Sequence, residues 1–412
     1  MIYKKNIYLT ALTIGILWAL TMSIVVSVVL SFISGFPLKP NILIVISLGG
    51  IAGIAVLGSM KSTTILLLMI TSAILLNALT YGPITTGQDI SYLLNYFSQA
   101  LFAISTVLPL AKILSGLSIH DPGRHEIEAA FIKFSSGFGL IFFTMIVLIP
   151  FYVMVMTSLK TQQELLLNPL DFSIDLSKGL LLFRSYSELF QDFGFARYLW
   201  TSFYVSIVTV LVTLAFSIPG AYAVARLRFR GSSAFSRSIL LIYMVPMIVL
   251  ALPIYILFSV TGLRNTILGL VLIYPVTTIP VALYMLQGYF RGLPYEIEEA
   301  GLMDGLSRLA VIWKITLPLA LPALASVSLY VFMIAWNEFL LAFMLLDDPL
   351  TFTLTRGVAS LNSSEVPRQH LMAGAVISTV PILLIFLFLE RFMTKGLTAG
   401  SVKGGQIVSG CS

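Results

Sequence analysis

Ten apolar runs divide this chain, at approximately residues 7–34, 42–59, 63–82, 91–115, 135–157, 198–224, 237–260, 266–288, 319–346 and 371–390. A run of about 20 apolar residues is what an α-helix needs to cross a bilayer. Only 10% of the 412 residues are charged, against roughly 25% in soluble domains. That is too few to coat a water-soluble fold of this size. The runs are also too long and too continuous for the alternating strands of a membrane barrel. The expected fold class is therefore all-α, a polytopic membrane protein of about ten transmembrane helices. The first run is longer than the apolar core of a signal peptide and no small-residue cleavage site follows it, so it reads as a retained helix.

The basic residues set an orientation. With Lys4 and Lys5 on the cytoplasmic side, alternating loops place sixteen of the 24 Lys and Arg residues inside, including the cluster Arg226, Arg228, Arg230 and Arg237. This satisfies the positive-inside rule with both termini cytoplasmic. The fourth run is diluted by Tyr92, Asn95, Tyr96, Ser98 and Gln99, yet removing it would break the alternation. The chain belongs in the cell membrane on this reading. Two stretches are too polar for lipid and too long for turns, the external loop 158–197 and the cytoplasmic loop 289–318. Loops of this size commonly carry function.

Several chemistries are disfavoured. The lone cysteine, Cys411, excludes an internal disulfide and a cysteine metal cluster. His125-Glu126 lacks the second histidine of a zinc-hydrolase helix. No basic stripe on a polar face points to nucleic acid. Lys61-Ser62-Thr63 follows Met60 without the glycine frame of a phosphate loop, so the chain holds no ATPase motif.

Loop 292–318 is the most informative segment. Pro294 suits a helix start, and Glu296, Glu298 and Glu299 favour its positive end. Ala300 and Gly301 are small enough for close approach, and Gly305 is a natural stop. A second helix over about 306–317 would follow before Pro318 opens the next span. The expected result is a helix–turn–helix knob on the cytoplasmic side. An ordinary amphipathic linker has the same local pattern.

The spacing Glu299-Ala300-Gly301, three residues, Gly305, nine residues, Ile315-Thr316-Leu317-Pro318 resembles the cytoplasmic signature loop of ABC importer permeases. Gly301 stands where that family usually carries a second alanine. Glu128-Ala129-Ala130 repeats the three letters but has Phe134 at the glycine position and no Ile-x-Leu-Pro after it. Ala221-Tyr222-Ala223-Val224-Ala225-Arg226, Gly262-Leu263-Arg264-Asn265-Thr266 and Trp336-Asn337-Glu338-Phe339 also resemble sugar-importer permeases. The tail Gly396-Leu397-Thr398-Ala399-Gly400-Ser401-Val402-Lys403-Gly404 is similar to that of the second permease subunit of maltose and maltodextrin importers.

The resemblance covers about residues 135–404. It implies a six-helix type I ABC importer core, preceded by a four-helix extension over residues 1–125 of no assigned function. Residues 405–412 are expected to form a flexible tail. The resemblance further implies a heterodimer with a second permease, two ATP-binding subunits and an extracytoplasmic sugar-binding protein. ATP and Mg would sit on the partner ATPases, with no cofactor on this chain. Glu298, Glu299, Ala300, Gly301, Asp304, Gly305, Ile315, Leu317 and Pro318 would form the ATPase-coupling loop. Gly396, Leu397, Thr398, Ala399, Gly400 and Lys403 would form an extended strand reaching between the ATPases. Trp336, Asn337 and Glu338 are candidates for substrate contact or structural anchoring. Asn362, Ser363 and Ser364, in external loop 347–369, are candidates for contact with the binding protein. The runner-up functions are a permease of the same architecture for a polyol or glycerol phosphate, and an ion-coupled secondary transporter. The latter would need buried acids near the midplane, which the sequence does not supply.

Overall fold

The computed structural model describes residues 2–58, 61–86, 91–117, 124–168, 171 and 173–401. The chain separates into two compact units, residues 1–182 and 183–412.

The first unit contains α1 (Ile2–Ser34), α2 (Ile42–Leu57), α3 (Ser62–Ala78), α4 (Tyr92–Ile113), α5 (Arg124–Ser158) and the short α6 (Gln162–Leu167). Helices α1 and α2 approach until their backbones touch. A Cβ at Gly53 would lie 2.1 Å from the Ala11 carbonyl oxygen, and one at Gly15 would lie 2.4 Å from that of Gly49. Lipid supplies no hydrophobic drive between helices, so small residues that permit such close packing hold the pair together. One small departure from an all-helical chain occurs here. Strands β1 (Leu38–Pro40) and β2 (Ile84–Thr86) form an antiparallel ribbon, with Lys39 opposite Thr85. The fully buried Gln99 pins it, donating to the Ile84 carbonyl at 2.8 Å and accepting from the Ile84 N–H at 3.3 Å.

Helix α5 packs within this unit. Phe134 meets Trp18 edge-on at 6.2 Å, and the Tyr152 hydroxyl donates to the Phe32 carbonyl at 3.0 Å. The compact unit therefore ends at 182, well beyond the 125–135 boundary expected from the sequence. The aromatic contacts to α1 bring in a helix that the sequence assigned to the core.

The second unit contains α7 (Arg184–Asp192), α8 (Phe195–Arg226), α9 (Ser232–Tyr243), α10 (Met247–Val260) and α11 (Ile267–Gly292). It continues through α12 (Tyr295–Met303), α13 (Arg308–Val311), a π-helical turn (Ile312–Thr316), α14 (Leu317–Leu319) and α15 (Leu321–Asn337). It closes with α16 (Leu340–Leu345), α17 (Leu354–Ser360) and α18 (Arg368–Ser401). Its core packs Tyr274, Leu270, Leu286 and Phe290 of α11 against Tyr222 of α8, Val331 of α15 and Leu341 of α16. Helices α8 and α11 also share a hydroxyl contact, Thr213 Oγ1 to Thr278 Oγ1 at 2.7 Å. Polar contacts of this kind help hold membrane helices together.

The ten apolar runs do not become ten full spans. Among the described residues, six helices are long and apolar enough to cross a membrane, or seven when the pair 308–319 and 321–337, bent by 78°, is counted as one. Helices α2, α3 and α10 have 16, 17 and 14 residues. At 1.5 Å per residue these reach about 21–26 Å, short of a hydrocarbon core of about 30 Å. Run 237–260 breaks because Pro246 has no N–H and disfavours helix at the residue before it, leaving α9 and α10 on either side. Run 319–346 bends at Ala320, two residues before Pro322, and breaks again at Glu338-Phe339.

Candidate functional site

Loop 292–318 grows out of the second unit as a folded knob. Pro294 stays extended at ψ 130° and opens α12. Helix α12 ends at Met303, and Gly305 turns the chain at φ +82°, a conformation that costs glycine little. The Ser307 hydroxyl then caps α13, accepting from the Ala310 N–H at 3.3 Å. The expected second helix over 306–317 is not a regular α-helix. It is one α-turn followed by π-helical residues 312–316, and π turns often mark functional positions.

Three glutamates begin α12, and the structure treats them differently. Glu298 is buried, while Glu296 and Glu299 are exposed. The Glu298 carboxylate accepts from the Tyr222 hydroxyl at 3.1 Å and from the Thr316 hydroxyl at 3.1 Å. The Arg226 Nε lies 3.3 Å from it, with both side chains nearly shielded from solvent. Arg226 also donates to the Leu293 carbonyl at 2.8 Å, and its guanidinium sits 4.0 Å above the Tyr295 ring. One carboxylate thus ties together the end of α8, the start of α12 and the π turn. Breaking such a buried pair from one side is costly, because the remaining charge stays desolvated.

Gly301 is buried on the same side of α12, and a Cβ there would lie 2.5 Å from Ile315 Cδ1. Ile315 Cδ1 stands in the space that a Cβ at position 301 would need. The clashing atom is the end of a flexible side chain, and alanine is the better helix former. Gly301→Ala is accordingly expected to change stability by no more than about 1 kcal/mol in either direction, read as a melting shift of the detergent-solubilised protein.

The knob also leaves large apolar side chains open to solvent. Met303, Trp313 and Leu309 are 87%, 71% and 70% exposed. Ala300 and Asp304 are exposed beside Met303, as is Pro318 farther along, whereas Leu317 is buried. Sequence reasoning missed these exposed apolar side chains, although Met303, Leu309 and Trp313 are conspicuous in an otherwise polar loop. It also missed the partners Tyr222, Arg226 and Thr316, whose pairing with Glu298 is not local.

The other sequence candidates fall elsewhere. Trp336 is buried, donates to the Ser378 carbonyl at 3.1 Å and stacks on Phe332, so it anchors α15 to α18. Asn337 donates back to the Met333 carbonyl of its own helix. Glu338 lies at the break after α15 rather than within a span, where its carboxylate accepts the N–H groups of Leu341 and Ala342 at 2.8 and 3.0 Å. Asn362, Ser363 and Ser364 form an exposed turn between α17 and α18. Helix α18 runs without a break through Gly396, Leu397, Thr398, Ala399 and Gly400 to Ser401. The expectation of an extended tail is corrected there. Helix growth from an apolar stretch is cooperative and overrides two isolated glycines. Lys403 and the expected flexible tail 405–412 lie outside the described residues.

Comparison with known proteins gives a consistent result. Residues 214–398 match the family described as "Binding-protein-dependent transport system inner membrane component". The inner membrane ABC transporter permease protein YcjP of Escherichia coli is 38% identical, over 65% of this chain and 95% of that protein. The trehalose/maltose transport system permease protein MalG of Thermococcus litoralis is 33% identical, again over 65% and 95%. The arabinooligosaccharides transport system permease protein AraQ of Halalkalibacterium halodurans is 32% identical over the same shares. A crystal structure of a bacterial ABC transporter involved in alginate import superposes with a TM-score of 0.56 at 21% identity. It covers 66% of this chain and 98% of that chain, a likeness of fold.

Proposed function

This chain belongs to the family of binding-protein-dependent ABC transporter permeases, and from that premise we propose that it is a membrane subunit of an ATP-driven oligosaccharide importer, of the maltodextrin kind. It forms half of the translocation pathway beside a second permease. Two cytoplasmic ATPase subunits carry ATP and Mg, and an extracytoplasmic binding protein delivers the sugar, meeting Asn362, Ser363 and Ser364. Both termini are cytoplasmic, with the segment from Gly396 to Lys403 next to the ATPases. Residues 1–125 are an addition to the importer core. The sugar class is supported by relatives named for trehalose, maltose and arabinooligosaccharides.

The observation that carries the reading is the knob 292–318. Its inner side is fixed to α8 through Glu298, and its outer side offers Ala300, Met303, Leu309 and Trp313 to a cleft. Closing the ATPases on ATP would shift the population between two arrangements of the bundle, with the knob transmitting the movement. Glu338 already spends its carboxylate on two backbone N–H groups. That weighs against an ion-coupled mechanism built on this acid.

Ala300→Asp tests the reading. Ala300 is exposed, so the fold should be altered by less than about 0.5 kcal/mol. A charge facing an apolar cleft is expected to lower sugar-stimulated ATP hydrolysis at least about tenfold, a penalty of roughly 1.4 kcal/mol or more. Co-purification in mild detergent should recover a nucleotide-binding subunit and a second permease. Unimpaired maltodextrin-stimulated hydrolysis by the aspartate variant would defeat the coupling role. Stimulation by a polyol or glycerol phosphate, and by no oligosaccharide, would replace the substrate.

A further inference from the structure

The turn after α8 reads Leu227-Arg228-Phe229-Arg230-Gly231, and α9 continues with Phe235 and Arg237. Arg226 is committed to Glu298, Leu293 and Tyr295. The next three arginines are different. Arg228, Arg230 and Arg237 are exposed and form no ion pair among the described residues. No aspartate or glutamate occurs anywhere between Asp192 and Glu296, so nothing nearby in the chain can neutralise them.

Aromatic side chains alternate with these charges. Leu227, Phe229 and Phe235 are all exposed. Gly231, at φ +92°, turns the chain into α9, which starts at the next residue. A fourth guanidinium stands close by. With its amide turned to suit its neighbours, Gln287 places its oxygen 2.9 Å from an Arg291 amino group and within 2.7 Å of the Ser236 hydroxyl on α9. The end of α11 is thereby held against α9.

We propose that this turn is a binding surface for anionic phospholipid, with Arg228, Arg230 and Arg237 on headgroup phosphates and Phe229 and Phe235 at the acyl boundary. The guanidinium fork matches phosphate oxygens in two-point contacts. The patch begins where a helix long and apolar enough to cross a membrane ends. A soluble acidic partner would satisfy the arginines alone. Alternating cations with exposed rings suits an interface that is charged on one side and oily on the other. Only the leaflet assigned to the site rests on the cytoplasmic orientation proposed above, and the inference is independent of the sugar.

The test uses the full-length protein with its partners in nanodiscs of phosphatidylcholine containing a minor share of phosphatidylglycerol. Lipid retained after extraction is quantified by mass spectrometry. Each juxtamembrane cation contributes about fivefold. The variant Arg228→Gln/Arg230→Gln/Arg237→Gln is therefore expected to lose at least about tenfold of its phosphatidylglycerol enrichment. The corresponding triple lysine variant should keep most of it, and Arg197→Gln should keep all. Equal enrichment in the glutamine variant and the parent overturns the proposal. So does loss of the ATPase subunit with enrichment unchanged, which would make the partner a protein. Side is read separately from Ala234→Cys in a Cys411→Ser background, using an impermeant maleimide. Labelling from outside, with enrichment intact, overturns the orientation and leaves the lipid site standing.

Discussion

Glu298→Ala is expected to destabilise the protein by about 3–5 kcal/mol and to abolish ATP-driven uptake. The carboxylate is buried and serves Tyr222, Thr316 and Arg226 together. Alanine would leave the Arg226 charge shielded from water with only the Leu293 carbonyl and the Tyr295 ring to face. Glu298→Gln keeps an acceptor for the two hydroxyls and loses the charge, so an intermediate melting temperature is expected. The double variant Arg226→Met/Glu298→Leu separates stability from coupling. A well-packed apolar pair can replace a buried ion pair at little cost, so this variant should melt near the parent while still failing to transport. The readouts are thermal unfolding in detergent and uptake into vesicles with the partner subunits. An alanine variant that melts and transports like the parent would remove Glu298 from the argument.

The second large effect belongs to the first unit. Gly53→Val is expected to cost about 3 kcal/mol and to loosen α1 from α2. The new Cβ would meet the Ala11 carbonyl oxygen at 2.1 Å, and a backbone atom has no rotamer to retreat to. The two helices must separate, and the contacts at Gly15 and Gly49 are lost with them. Hydrogen exchange should rise across residues 2–34 and 42–57. Gly139→Ala is the matched control, because nothing lies within 4 Å of its Cβ position. Equal exchange in the two variants would mean that the close approach does not hold the pair.

These two sites differ in how far the sequence disclosed them. The apolar runs marked every long helix, because burial in lipid demands uninterrupted hydrophobicity over a fixed length. The same signal overstated 237–260 and 319–346, where Pro246, Ala320 and Glu338 interrupt the helix without interrupting the hydropathy. The signature spacing located the knob and its stop at Gly305. It could not say which of Glu296, Glu298 and Glu299 turns inward, since all three equally suit a helix start. That choice depends on Tyr222 and Arg226, more than 70 residues earlier. Pairings across such distances leave no trace in local periodicity. The extent of the first unit was hidden for a similar reason, because hydropathy does not say which aromatic face α5 turns to Trp18 and Phe32.

The 78° bend between residues 308–319 and 321–337 has a mechanical meaning. A lever needs one stiff joint and one compliant joint. The stiff joint would be the buried Glu298 cluster, which ties the knob and its π turn to the end of α8. The compliant joint would lie just beyond it, at the corner at Ala320, where Pro318 and Pro322 bring no N–H to the hydrogen-bond ladder. A load on Trp313 would then reach α8 as a displacement and α15 as a change of angle. One push at the surface would thus be divided into a translation and a rotation before it enters the membrane.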